Sequence, residues 1–233
     1  MAEKKVTRTE NQPPKESRRE RRKRETRERL MRAAMTLMAT QGKEGVAINQ
    51  ITEAADVGFG SFYNYFQSKD DIYDQLVDEV FNAFADALNQ SAGSTDDPAE
   101  IVSTAVRNTI VQVTRDPIWG RFFLYISYSA QAFTQRMGAH FLGDMQRGFA
   151  SGRFTASDPL MTIISVGGTI LSAAMVATEM THGQALPARD AAPVLLDVED
   201  LPERTATMVL RHLGLGEDEA AEIARRPLRE ATT

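Results

Sequence analysis

The sequence predicts an all-α protein in which a small three-helix module at the front is joined by one long helix to a larger helical body. Three observations carry this. Apolar residues recur at helical spacing along most of the chain, and period-two alternation never reaches useful length. Residues 48–69 (INQITEAADVGFGSFYNYFQSK) hold two short helical patterns around a tight break. Charge is also divided along the chain: residues 1–69 carry 15 Lys+Arg against 9 Asp+Glu, and residues 70–233 carry 12 against 23.

Residues 1–17 lack periodicity and contain Pro13-Pro14, so they read as a disordered arm. The densest basic run follows, Arg18-Arg19-Glu20-Arg21-Arg22-Lys23-Arg24. It is either a solvated leader whose glutamates pair with its arginines or, beside a DNA-binding unit, an arm that holds phosphates. The expected organisation is a basic disordered arm over 1–23, a small helical module over 24–69, and a body over 70–233.

The first helix is expected over 24–41, with Leu30, Ala33, Ala34, Leu37 and Met38 on one face and Gly42 as its stop. In the short pair, Ile51, Ala54 and Ala55 form the first apolar stripe. Asp56-Val57-Gly58 breaks it, with Gly58 free for a conformation that side chains resist. Phe62 and Phe66, four apart, face inward with Val57, which turns Phe59, Gly60, Ser61, Tyr63, Asn64 and Tyr65 outward.

A plain solvated helix would carry Lys and Glu on that face. Small, aromatic and amide residues suit a surface that enters a DNA groove, because Asn pairs with adenine edges and an apolar ring meets a thymine methyl. Hydroxyls and ammonium groups hold phosphates and set register. The candidate DNA-contacting set is Asn49, Phe59, Gly60, Ser61, Tyr63, Asn64, Tyr65 and Lys69, with Arg21, Arg22 and Arg24 from the basic run.

Residues 57–69, with Gly60-Ser61-Phe62-Tyr63, Tyr65-Phe66 and Lys69, resemble the signature of the tetracycline-repressor family, and the likeness covers about 24–76. One departure is Ala47, where the family usually places Thr or Ser as a helix cap. The resemblance implies a DNA-binding regulator, released from a palindromic operator by a small molecule held in the C-terminal body. It also implies that the last two long helices pack against their twins in a homodimer. These would be 159–181 and 199–213, with Ser165, Gly168, Thr169, Ser172 and Val209 as interface candidates. A ligand-independent DNA-binding protein, or an all-helical enzyme or carrier, stays as the alternative.

Ser68 opens the long linking helix, with Asp70 and Asp71 in its first turn and Ile72, Leu76, Val80, Phe84 and Leu88 every four residues. Residues 90–97 read as a loop, and Pro98 starts a helix with Ile101, Val102, Ala105, Val106, Thr109, Ile110 and Val113 inside. An aromatic stretch from 118 and a helix ending at Gly152 follow, with Phe154 as a plug. Trp119, Phe122, Phe123, Tyr125, Tyr128, Met137, Phe141 and Met145 are candidates for an apolar ligand wall, although each also suits an ordinary core. Position suggests Asn108, Gln112 or Arg115 as polar anchors.

Between Asp158 and Glu179 lie 20 uncharged residues. Their length permits a membrane span. Pro159, Gly167-Gly168, the Ser/Thr content and the acidic flanks favour a helix buried on nearly all sides instead. Residues 183–194 form a Pro/Ala loop, and helices are expected over 200–213 and near 217–226.

The absence of cysteine removes disulfides and thiolate metal sites and fits a reducing cytoplasm. No apolar segment of the signal-peptide kind occurs within the first 29 residues. His140, His182 and His212 have no partner at ligand spacing, and no catalytic or phosphate-cradling motif occurs, so neither an enzyme nor a metal or other cofactor is expected.

Overall fold

A computed structural model describes residues 17–92, 95–127, 138–181 and 198–228; the side chains of 81–92, 138–141 and 181 lie outside that description. The described residues form ten helices: α1 Arg18–Gln41, α2 Ile48–Ala54, α3 Phe59–Phe62, α4 Lys69–Ala92, α5 Pro98–Arg115, α6 Pro117–Ser127, α7 Gly138–Ala150, α8 Pro159–Thr181, α9 Leu201–His212 and α10 Glu217–Ala224. Residues 1–16 of the expected arm, the Pro/Ala loop and His182 lie outside the described residues.

Helix α1 starts earlier than its apolar stripe predicts and takes in the basic run. Ser17 accepts from the Glu20 amide, and Glu20 accepts from the Ser17 amide, a reciprocal cap that satisfies the exposed helix start. Arg21 pairs with Glu25 and Arg24 with Glu28 one turn on, which offsets repulsion among the arginines. Arg18–Lys23 are therefore helical, and the arm boundary at 23 moves back to Ser17. At the far end Gly42, with φ of 72°, closes the helix through its amide to the Met38 carbonyl.

One core cluster runs without interruption from the front module into the body. Leu30, Ala34 and Met38 of α1, Ile51 of α2, Phe62 and Phe66, and Ile72, Leu76 and Val80 of α4 pack together. They are joined by Ile110 and Val113 of α5, Phe122, Phe123 and Ile126 of α6, and Ala174 and Ala177 of α8. A second cluster lies farther along α5, where Ala99, Val102 and Val106 meet Met145, Phe154, Val166 and the inner faces of α9 and α10. Helix α5 touches α4 and α6 to α10, so it is the central strut of the body. Phe154 fills the second cluster as expected, and a Cβ at Gly148 would stand 2.0 Å from its ring, which explains the glycine.

Charged links close the distal end. Arg107, buried on α5, donates to Glu203 of α9 through Nε at 3.1 Å and Nη2 at 2.7 Å. Arg153 donates to Asp97, which also caps α5, and to Glu219 of α10. Arg226 reaches Glu100 and Glu222.

Helix α8 departs from expectation. It is long and apolar enough to cross a membrane by length and composition, yet only 22% of that window is buried within the chain. One side packs on α5, α6 and α9. The other leaves Leu160, Met161, Ile164, Gly168, Ser172 and Met175 exposed. Lack of charge therefore marks a face that the described residues leave exposed, and not a helix they enclose.

Replacing Arg107 with Ala leaves a half-buried Glu203 without its partner. Urea unfolding is expected to show a loss of about 2 kcal/mol, below the figure for a fully buried pair because Glu203 keeps some solvent. The Arg153 guanidinium holds the Asp97 carboxyl below its ordinary value of 3.8. The stability this contributes is complete above that value and is lost as pH falls through the lowered folded value. Asp97→Asn is thus expected to flatten the decline of the urea midpoint below about pH 4; an unchanged profile would remove the link.

Candidate nucleic-acid interface

Helix α2 begins at Ala47, which has no side-chain acceptor. Gln50 supplies half of the missing cap, its Oε1 accepting from the Ala47 amide at 2.8 Å. Ile51 and Ala55 are buried as expected, but Ala54 is exposed and Thr52 is buried in its place. The Thr52 hydroxyl donates to the Asn49 carbonyl at 2.9 Å, which lets a polar residue sit inside.

The turn is made differently from the expectation. Asp56 takes the left-handed conformation, at φ of 52°, and Gly58 at φ of −65° is the N-cap of α3. Aspartate tolerates that region better than most side chains. The Thr52 carbonyl accepts from the Val57 amide, so the chain doubles back directly after α2.

Helix α3 is a single turn, continued by turns over 63–65. Phe62 and Phe66 are buried, with ring centroids 5.5 Å apart. The Arg27 guanidinium lies 5.7 Å from the Phe66 ring centroid and donates to Glu79 and Gln75, tying α1, α3 and α4 together. The opposite side carries Phe59 at 54% exposure and Tyr63 at 53%, set edge to face at 5.8 Å. Gly60 and Asn64 are exposed beside them, and Ser61 and Tyr65 are half-buried. Two large rings are left in solvent although the core lies within one turn.

Around this face, Asn49 is exposed near the start of α2, and Lys69 stands at the start of α4, 3.6 Å from Glu44. Ser68 accepts from the Asp71 amide, and Asp71 from the Gln67 amide, which caps α4 reciprocally. The Gln67 amide and then Gln75 hold the Asp71 carboxyl below the usual carboxylate range, and Lys43 does the same for Asp70. Arg21, Arg22 and Arg24 are exposed along the first turns of α1, on the same basic third of the chain.

The aromatic candidates in the body do not form one wall. Trp119 stacks on Phe123 at 5.1 Å, and Phe122 meets Tyr73 of α4 edge to face, all in the first cluster. Met145 belongs to the second. Tyr125 is turned toward the front module, where its hydroxyl accepts from the Lys43 amide at 2.8 Å. Tyr128, Met137 and the side chain of Phe141 lie outside the described residues. Of the anchors, Asn108 and Gln112 are half-buried, while Arg115 is exposed near the end of α5. Ser103 of α5 and Ser127 of α6, which no sequence motif marks, have buried hydroxyls with no hydrogen-bond partner among the described residues.

On the dimer candidates, Gly168 and Ser172 are exposed on α8, and Ser165 and Thr169 are half-buried. A Cβ at Gly168 would meet nothing within 4 Å among the described residues, so its smallness serves no contact with them. Val209 is fully buried in the second cluster, because α9 turns that face to α5; Met208 is a large apolar residue of α9 left exposed, at 44%.

Comparison with known proteins agrees with this architecture. Residues 30–76 match the model for bacterial regulatory proteins of the tetR family, and residues 97–226 match the tetracyclin repressor-like C-terminal domain. The structure of RolR with its ligand resorcinol is 30% identical over 91% of this chain and 99% of that one, with a TM-score of 0.61. Ligand-free RolR gives the same identity and score over 88% of this chain and 100% of its own. FadR from Bacillus subtilis, in complex with stearoyl-CoA, shares the fold at 17% identity, over 80% of this chain and 97% of that one, with a TM-score of 0.60. No curated protein matches the chain. The chain belongs to the tetracycline-repressor family of transcriptional regulators. It is a DNA-binding protein of the helix-turn-helix class and not an enzyme.

Proposed function

We propose that the protein is a repressor that binds a palindromic operator as a homodimer and is released by a small hydroxylated aromatic molecule. The observation that carries the DNA part is the outward face of α3. Phe59, Gly60, Tyr63 and Asn64 stand in solvent on a turn whose back is held by buried Phe62 and Phe66. Phe59 and Asn64 read bases, Gly60 lets the DNA backbone come close, and Ser61, Tyr63, Tyr65, Asn49 and Lys69 hold phosphates. Arg21, Arg22 and Arg24 add affinity that is independent of sequence. In this reading residues 18–69 serve DNA, and residues 70–233 serve the effector and the partner subunit.

The exposed apolar face of α8 supports the dimer. Leu160, Met161, Ile164 and Met175 are a surface that a second copy covers, at about 1.5–3 kcal/mol for each large side chain removed from water. Ser165, Gly168, Thr169 and Ser172 allow close approach of the helices. Two recognition turns set one DNA turn apart then read a two-fold site.

The effector class rests on RolR, whose structure holds resorcinol. Trp119 and Phe123 supply apolar surface on α6, and the buried, unpartnered hydroxyls of Ser127 on α6 and Ser103 on α5 are each a group that a ligand hydroxyl would satisfy. Release by a hundredfold requires the effector to favour the non-binding conformation by about 2.7 kcal/mol.

Lys69→Ala and Tyr65→Ala are expected to weaken binding to all duplexes, with Lys69→Ala reducing the salt slope by about one. Asn64→Ala and Phe59→Ala are expected to cost about 1–3 kcal/mol at particular base pairs and to relax the preferred site. Fluorescence anisotropy across salt concentrations separates the two classes. An Asn64→Ala protein with wild-type base preference would remove its reading role.

Resorcinol is expected to lower affinity for the bound duplex about a hundredfold at saturation and to change the emission of Trp119, the sole tryptophan. If the complex survives saturating resorcinol and Trp119 does not respond, the effector class is wrong and the DNA-binding part stands.

A further inference from the structure

The turn between α1 and α2 is specified closely. Gly42 sits at φ of 72°, and a Cβ at Gly45 would stand 2.5 Å from the Gln41 carbonyl oxygen, so the backbone has little choice of path. Two elements of the body hold this turn from outside. From α4, Asp70 pairs with Lys43 at 2.6 Å, and the Lys43 ammonium lies 4.8 Å from the Tyr73 ring centroid. From α6, the Tyr125 hydroxyl accepts the Lys43 amide at 2.8 Å, while the Tyr125 ring stands 3.7 Å from where a Cβ at Gly42 would lie. Phe122 contacts both Tyr73 and Tyr125, so the two supports are braced against each other.

Beyond the turn the chain leads directly to the DNA face. Glu44 neighbours Lys69, Val46 is buried, and Ala47 is the N-cap of α2. A movement of α6 therefore reaches α2 and α3 by a short covalent path that does not pass through α4. A hydrogen bond weakens steeply with distance and misalignment, so this one reports a small displacement of α6 directly to the backbone of the turn.

We propose that Tyr125 is a positioning residue that latches the DNA-binding module to α6. Its hydroxyl senses the place of α6 and sets the attitude of α2 and α3 through the Lys43 amide. This deepens the repressor reading by naming the contact through which the body reports to the module, and it rests on α3 being the DNA-contacting element.

The test compares full-length wild type with Tyr125→Phe, which keeps the ring and its packing. Hydrogen exchange is expected to rise about fivefold over residues 42–66, the loss of one neutral hydrogen bond, while α5, α9 and the urea midpoint hold. Exchange that rises only at the Lys43 amide, or evenly along the chain, overturns the proposal, since the bond is then a local anchor or a general support. A second measurement follows Trp119 emission on adding duplex DNA. The wild type is expected to shift and Tyr125→Phe to bind DNA without the shift; an equal shift in both overturns the latch. If the wild type binds no DNA, the repressor reading fails and the exchange result still decides whether Tyr125 positions 42–66.

Discussion

A recognition element of one helical turn cannot hold its own shape, because so short a helix makes too few backbone bonds to offset the order it requires. The structure depends on the burial of Phe62 and Phe66 for this reason. With both rings inside and Arg27 laid over Phe66, the outward direction of Phe59, Tyr63 and Asn64 is no longer free to vary. The same core continues through α4 into α5, α6 and α8, so the position of the recognition face is set jointly by module and body. A module with a separate core could read DNA but would have no reason to respond to events in the body.

The distal half follows a different logic. Its second cluster is closed by charged pairs, Arg107 with Glu203 and Arg153 with Asp97 and Glu219, which pin α9 and α10 to α5. Among the described residues, α8 keeps an apolar side exposed. The acidic balance of residues 70–233 and the basic balance of 1–69 then orient the molecule toward a polyanion by its front end. The overall charge of −5 conceals this.

Much of the fold was legible because helical periodicity is a local property. The spacing of Phe62 and Phe66 placed Phe59, Gly60, Tyr63 and Asn64 outside, although Ser61 and Tyr65, expected outward, are half-buried. The stripes of α1, α5 and α4 as far as Val80 emerged the same way. The misses have physical causes. Asp56 and Gly58 are both turn residues two positions apart, and spacing does not say which one carries the left-handed angle. Thr52 displaced Ala54 from the interior because its hydroxyl is satisfied by its own helix. The start of α1 was written in Ser17 and Glu20, but the arginine run between and beyond them obscured the cap. The uncharged run of α8 could not reveal whether its own chain or another surface covers it, and Val209 faced inward for reasons of tertiary packing. Tyr125 was the least accessible, since its partner lies 82 residues away and its composition suits a pocket wall equally well.

The most direct test of a dimeric regulator that reads DNA with α3 is selection of bound duplexes from a random library by the purified protein. The account predicts an enriched site of two inverted half-sites, centred about one helical turn apart, bound with a steep salt dependence. Enrichment of no sequence, or of a single undivided site, would contradict it. The exposed rings of α3 and the open face of α8 would then require a different partner.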